Sequence, residues 1–181
     1  MPPYIFAVLT AGWIVWMLPF FLARRGGPAQ TLDRRARWGI GIQAIGFAIV
    51  WMNHYWTRSP SIARILPAIC FLILGGVLSW TSARTLGRQW RFDAGLNADH
   101  QLVQAGAYRF IRHPIYASML CMLLGTGLLI TPVRLLLLAL VFFCIGVEIR
   151  IRIEDALLAS RFGEEFRTYQ RRVPAYLPFI R

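Results

Sequence analysis

Two short runs hold most of the residues able to do chemistry. The first reads Gly106-Ala107-Tyr108-Arg109-Phe110-Ile111-Arg112-His113-Pro114-Ile115-Tyr116, so that two guanidiniums, an imidazole and two phenols crowd the threshold of an apolar stretch. Proline fixes its own φ and disfavours α geometry in the residue before it, so a helix that begins at Pro114 leaves His113 extended or in a turn. The first N–H groups of such a helix lack intrahelical partners, and with Arg112 beside them they offer a seat for a carboxylate or a phosphate. The same residue types suit a plain anchor among lipid headgroups, and the run alone admits both readings. In the second run, Glu148, Arg150, Arg152, Glu154 and Asp155 continue the register of an apolar helix out of its hydrophobic part. Arg150 and Glu154 stand four apart and share one helix face. A solvated, salt-bridged helix end explains that spacing too. Glu148 and Arg150 sit at a membrane border, where ionisable groups are costly and face a partner or a polar cavity, and this favours a functional role.

The elements that must position these residues are apolar. With 57% hydrophobic and only 15% charged residues, and a mean hydropathy of +0.51, the chain is too apolar for an ordinary soluble domain of 181 residues. The pattern predicts an all-α fold, a polytopic integral membrane helical bundle of about five spans: 4–23, 38–56, 65–83, 115–131 and 133–149. The last two share a tight Thr131-Pro132 turn and read as a helical hairpin. The first segment has no positive residue before its apolar run and is closed by Arg24-Arg25, so it reads as a retained helix rather than a cleaved signal.

All basic residues are arginine: five in 24–37, five in 84–114 and seven in 150–181, against two in 57–64 and one in 131–134. By the positive-inside rule the N-terminus lies outside, and the Arg112-His113-Pro114 run and the tail lie in the cytoplasm. The net charge of +12 then holds that face against anionic lipid and gives no reason to expect nucleic acid. Cys70, Cys121 and Cys144 fall inside apolar spans with no Cys or His at ligand spacing, which predicts neither a disulfide framework nor a metal site. With no internal repeat or linker, residues 1–181 read as one domain, in which the 84–114 loop and the C-terminal helix form a cytoplasmic cap. Leu157, Leu158, Phe162 and Phe166 recur at helical spacing around Gly163 and predict an amphipathic, core-facing helix.

The string from Asp99-His100-Gln101-Leu102-Val103 through Gly106 and Tyr108 to Arg112-His113-Pro114-Ile115-Tyr116, followed by Arg150, Glu154-Asp155, Phe162-Gly163-Glu164-Glu165, Tyr169 and Arg172-Val173-Pro174, closely resembles the isoprenylcysteine carboxyl methyltransferase family. The resemblance covers roughly the C-terminal half, 84–181, which it marks as the cofactor-binding and catalytic half. It implies a membrane enzyme that uses S-adenosylmethionine to methylate a carboxylate on a lipid-linked, isoprenylcysteine-like acceptor entering from the bilayer. It also implies a cofactor site of His100, Gln101, Leu102, Val103, Tyr108, Arg112, His113, Pro114, Ile115, Tyr116 and Glu154. The catalytic pair would be Arg150, facing the substrate, and Glu154. The chain departs from the family pattern at Asp155, where a second Glu is common, and at Phe166, where Tyr is usual.

Elementary chemistry agrees with these assignments. The helix start with Arg112 suits the carboxylate of the cofactor, Glu154 its ammonium, and the rings of Tyr108, Tyr116 and Trp90 its sulfonium methyl. An acceptor carboxylate is already ionised and needs no base, only alignment by Arg150. The same helix-start motif also resembles phospholipid N-methyltransferases, whose amine acceptor would want a base such as Glu148 or Asp155. Membrane sterol reductases, with a nicotinamide cofactor, share a related core, and a non-catalytic membrane scaffold is the remaining alternative. The lysine-free, minimal chain suggests a prokaryotic inner membrane.

Overall fold

The structure, a computed structural model, describes residues 2–23, 31–91, 94–96 and 100–176. The expected Arg24-Arg25 border, Asp99 and the end of the tail lie outside the described residues. Among these, the chain forms six α-helices: α1 (Pro3–Leu22), α2 (Ala36–Trp51), α3 (Ile62–Leu86), α4 (Pro114–Ile130), α5 (Val133–Phe162) and α6 (Glu164–Arg172). The first five fall on the five apolar stretches. Pro3–Leu22 and Ile62–Gln89 are long and apolar enough to cross a bilayer, while Ala36–Trp51 and Pro114–Ile130 are apolar but shorter. α5 does not stop near residue 149. No Gly or Pro interrupts 147–162, so the helix carries Arg150, Glu154 and Asp155 onward to Gly163, whose φ of 55° ends it.

α2 lies along α5 and α4 along α3, with α1 against α3; the two arms of the Thr131-Pro132 hairpin pack more on these neighbours than on each other. In an apolar medium helices associate through close backbone approach and interhelical hydrogen bonds. Both are present. Trp16 Nε1 donates to Ser118 Oγ (3.0 Å), Trp13 Nε1 to Thr126 Oγ1 (3.1 Å) and Ser79 Oγ to the Trp16 carbonyl (2.9 Å), tying α1 to α3 and α4. Gly46 lets α2 approach α5 so closely that a Cβ there would stand 2.8 Å from the Ala139 carbonyl oxygen. At the far end Arg64 donates to the carbonyl oxygens of Gly127 (3.2 Å) and Thr131 and caps α4.

The all-α expectation needs one local amendment. Thr31–Leu32 and Gly95–Leu96 form a two-residue antiparallel ladder, which fastens the loop after α3 to the connection between α1 and α2. A chain of rings runs toward the same end: Trp16 edge-on to Phe20 (5.3 Å), and Phe20 stacked on Trp90 (5.4 Å).

Candidate functional site

Pro114 starts α4, and His113 before it takes φ −124°, ψ 64°, outside the helix as proline chemistry requires. The turn Gly106–Arg109 leads in. Gly106 has φ 58°, and a Cβ there would stand 2.5 Å from Thr85 Oγ1, so only glycine lets the loop pass this close to α3. α5 approaches from the other side and brings Arg150, Glu154 and Asp155 to His113.

His113 sits between two carboxylates. Its Nε2 lies 2.9 Å from Asp155 Oδ1 and its Nδ1 3.5 Å from Glu154 Oε2. Burial opposes charge on the ring, but the hydrogen bonds to Asp155 and Glu154 outweigh it, and the imidazole pKa is raised. The carboxylates respond in kind: burial alone would push both up, yet His113 with Arg150 holds Glu154 below its ordinary value, and His113 with Arg112 holds Asp155 below its own. The Tyr116 hydroxyl donates to Glu154, and the Arg150 guanidinium lies 4.9 Å over the Tyr116 ring with Nη2 3.5 Å from Glu154 Oε1. Glu154 thus has an imidazole, a phenol and a guanidinium around it.

Arg112 does something other than the sequence suggests. Its guanidinium is occupied by Asp155 (3.0 Å), the Gln170 carbonyl (3.1 Å) and the Val173 carbonyl (2.5 Å), and the Arg112 and His113 N–H groups donate to the carbonyls of Pro174 (2.8 Å) and Ala175 (2.7 Å). These bonds clamp the tail across the start of α4 instead of leaving an open anion seat. Gln170 Nε2 adds a bond to Asp155 (3.0 Å), and Tyr169, whose hydroxyl burial pushes up to about 12, donates to the Tyr108 carbonyl (2.5 Å). Phe166, which stands where a family Tyr is usual, is buried with no polar atom to satisfy.

A cavity of about 260 Å³ opens beside Glu154. Of the residues singled out from sequence, Trp90, His100, Gln101, Leu102, Val103, Tyr108, Arg112, His113, Ile115, Tyr116, Arg150 and Glu154 line it; Pro114 does not and serves as the start of α4. Sequence reasoning missed Trp16, Met17 and Phe20 of α1 and Met119 of α4, which form an apolar extension, and it read Leu157, Leu158 and Phe166 only as core. The aromatic spacing on α1 was the available signal, but it is equally that of a buried helix. Glu148 is no part of the cavity and pairs with Arg152 at 2.7 Å on an exposed face. Among the described residues no group of His, Cys, Asp and Glu is placed to hold a metal ion.

Together, the fold and this site define an apolar helical bundle with an ion-lined pocket at one end, walled in part by Phe166 and Tyr169 of α6. A model of the phospholipid methyltransferase family matches residues 63–165, from α3 through the start of α6. The chain belongs to that family. It is 30% identical over 131 residues to the protein-S-isoprenylcysteine O-methyltransferase B of Arabidopsis thaliana, covering 71% of this chain and 62% of that protein. It is 35% identical over 162 residues to the cobalt-zinc-cadmium resistance protein CzcN of Cupriavidus metallidurans, covering 88% and 70%. A solved eukaryotic intramembrane Ras methyltransferase, an isoprenylcysteine carboxyl methyltransferase, superposes with a TM-score of 0.58 at 26% identity, covering 83% of this chain and 55% of that one. The chain spans less than two thirds of the length of the first isoprenylcysteine O-methyltransferases it matches.

Proposed function

We propose that the protein methylates the carboxylate of an isoprenylcysteine-like lipid, with S-adenosylmethionine as donor. The observation that carries this reading is the disposition of charge in the cavity: an ionised Glu154 facing a cationic Arg150, with none of Glu154, Asp155 and His113 poised as a base. Glu154 and Asp155 are held below ordinary carboxylate values and His113 toward its charged form, so none of the three is suited to deprotonate an amine. A carboxylate acceptor needs no deprotonation. The supporting likenesses are the family, the isoprenylcysteine O-methyltransferase relatives and the apolar extension of the cavity.

The residues fit the cofactor. Glu154, its side chain 24% exposed beside the cavity, is the partner for the ammonium, and Leu102, Val103, Leu157 and Leu158 provide apolar walls for the adenine. S-adenosylmethionine supplies a methyl group made electrophilic by its sulfonium. Arg150 orients the acceptor carboxylate. Because transfer neutralises that carboxylate, a tight grip on it would stabilise the ground state, and the stacked, shared guanidinium is suited to orientation. Trp16, Met17, Phe20 and Met119 receive the proximal part of the lipid tail.

In the membrane, α1 to α4 and the 133–149 part of α5 are the five spans, with the rest of α5, the cavity, the 84–114 loop and the tail on the cytoplasmic side of a prokaryotic inner membrane, against anionic lipid. Binding of S-adenosylhomocysteine and turnover, measured on the purified protein in detergent, test the assignment. Glu154→Ala abolishes binding, while Arg150→Ala keeps binding and loses turnover. Equal loss of binding in both variants would refute the division of roles.

A further inference from the structure

The aim of Arg150 is set from a helix that the family match does not include. Residues 63–165 leave out α2, yet α2 lies along α5 directly beneath the arginine. A Cβ on Gly39 would stand 2.5 Å from Arg150 Cγ and 2.6 Å from the Gly146 carbonyl oxygen. The contact is reciprocal: a Cβ on Gly146 would stand 2.6 Å from the Gly39 carbonyl oxygen and 2.7 Å from the Gln43 amide nitrogen. The two backbones therefore touch at Gly39 and Gly146, and the first carbons of the Arg150 side chain lie in the space a Gly39 side chain would fill.

Carbon atoms rest about 3.5–4.0 Å apart, so an added methyl forces the Arg150 stem to move by about 1 Å. The arginine has little room to absorb that. Its guanidinium is 4.9 Å over the Tyr116 ring and 3.5 Å from Glu154, and its side chain is only 11% exposed. The clash falls at Cγ, close to the backbone, where rotation of the far end does not relieve it.

We infer that Gly39 is a positioning residue for the methyl-transfer reaction: by having no side chain it fixes the stem of Arg150, and so the direction in which the guanidinium meets the acceptor carboxylate. This rests on the assignment of Arg150 to the acceptor. The same helix supplies two controls. Nothing lies within 4 Å of a Cβ built on Gly41, so Gly41→Ala adds a methyl to α2 without a clash. Gly46 sits in the same seam but meets Ala139 and Phe143, away from Arg150, so Gly46→Ala strains the helix pair without touching the arginine.

The test combines turnover with a thermal-stability cycle in detergent. Gly39→Ala lowers kcat about 100-fold, the loss expected when a positioned group is misplaced by about 1 Å, and leaves S-adenosylhomocysteine affinity as in the wild type. Gly46→Ala lowers the melting temperature without that loss of kcat, and Gly41→Ala keeps kcat and does not lower the melting temperature. The melting-temperature penalty of Gly39→Ala is smaller in an Arg150→Ala background, where the stem is gone. If Gly39→Ala alone does not fold, the double variant yields more folded protein than the single. The inference is overturned if Gly39→Ala turns over as Gly46→Ala does, or if its penalty, or its failure to fold, is the same with and without the arginine stem. The stability cycle needs no substrate, so absence of methyl transfer in the wild type would count against the proposed function and leave the coupling of Gly39 to Arg150 to be judged by the melts.

Discussion

Asp155→Asn probes the ion network more sharply than any other single change. Asp155 accepts from Arg112 (3.0 Å), His113 (2.9 Å) and Gln170 (3.0 Å), and its partner Arg112 has a side chain only 3% exposed. Removing one member of a buried ion pair costs about 3–5 kcal/mol, and since Asn still accepts one of the bonds the low end applies, about 3 kcal/mol. At ~2–4 °C per kcal/mol for a chain of this size, the melting temperature falls by about 6–12 °C. The pH dependence adds a signature. His113 has a folded pKa raised above 6.5, so its contribution is complete below 6.5 and fades as pH rises through the folded value. Glu154 and Asp155 have folded values depressed below 4.5 and 3.8, so theirs are complete above those figures and fade as pH falls through the lower folded values. In Asp155→Asn the imidazole loses an acceptor and its pKa drops back, so the alkaline decline of stability shrinks along with the overall fall. Tryptophan-fluorescence melts from acid to alkaline pH read both effects. A variant that melts with the wild type, or keeps the same alkaline decline, would refute the claim that Asp155 holds His113 charged and the tail closed.

Two further substitutions test the fold. Gln43 on α2 is 3% exposed, and neither its amide nitrogen nor its amide oxygen has a hydrogen-bond partner among the described residues; replacing an unsatisfied buried group recovers about 1–3 kcal/mol, so Gln43→Leu raises the melting temperature, and a fall would reveal a partner for the amide. Glu148→Gln breaks the exposed pair with Arg152, worth about 0–1 kcal/mol, and leaves turnover unchanged; loss of activity would return Glu148 to the site.

The five apolar stretches and the proline-started fourth helix were legible because hydropathy and proline act locally. The resemblance located eleven lining residues for the same reason, since they cluster in two short runs. What the sequence hid depends on contacts between distant segments. Arg112 looks like an anion seat until the carbonyls of Gln170 and Val173 are found on its guanidinium. Glu148 and Arg150 look alike at a membrane border, but two residues along a helix turn a side chain by more than half a revolution, and only Arg150 faces the cavity. The α1 rings and Gly39 carry no mark that tells a pocket from a core, because a buried aromatic and a helix-contact glycine have the same spacing whether or not a pocket lies behind them.

The most direct measurement incubates the purified protein with methyl-labelled S-adenosylmethionine and a prenylated cysteine, beside a parallel reaction with an amine-headed phospholipid, and identifies the labelled product by mass spectrometry. The account predicts a base-labile methyl ester on the cysteine carboxylate, lost in Arg150→Ala. Label on the amine, or cofactor binding with no ester formed, would contradict it.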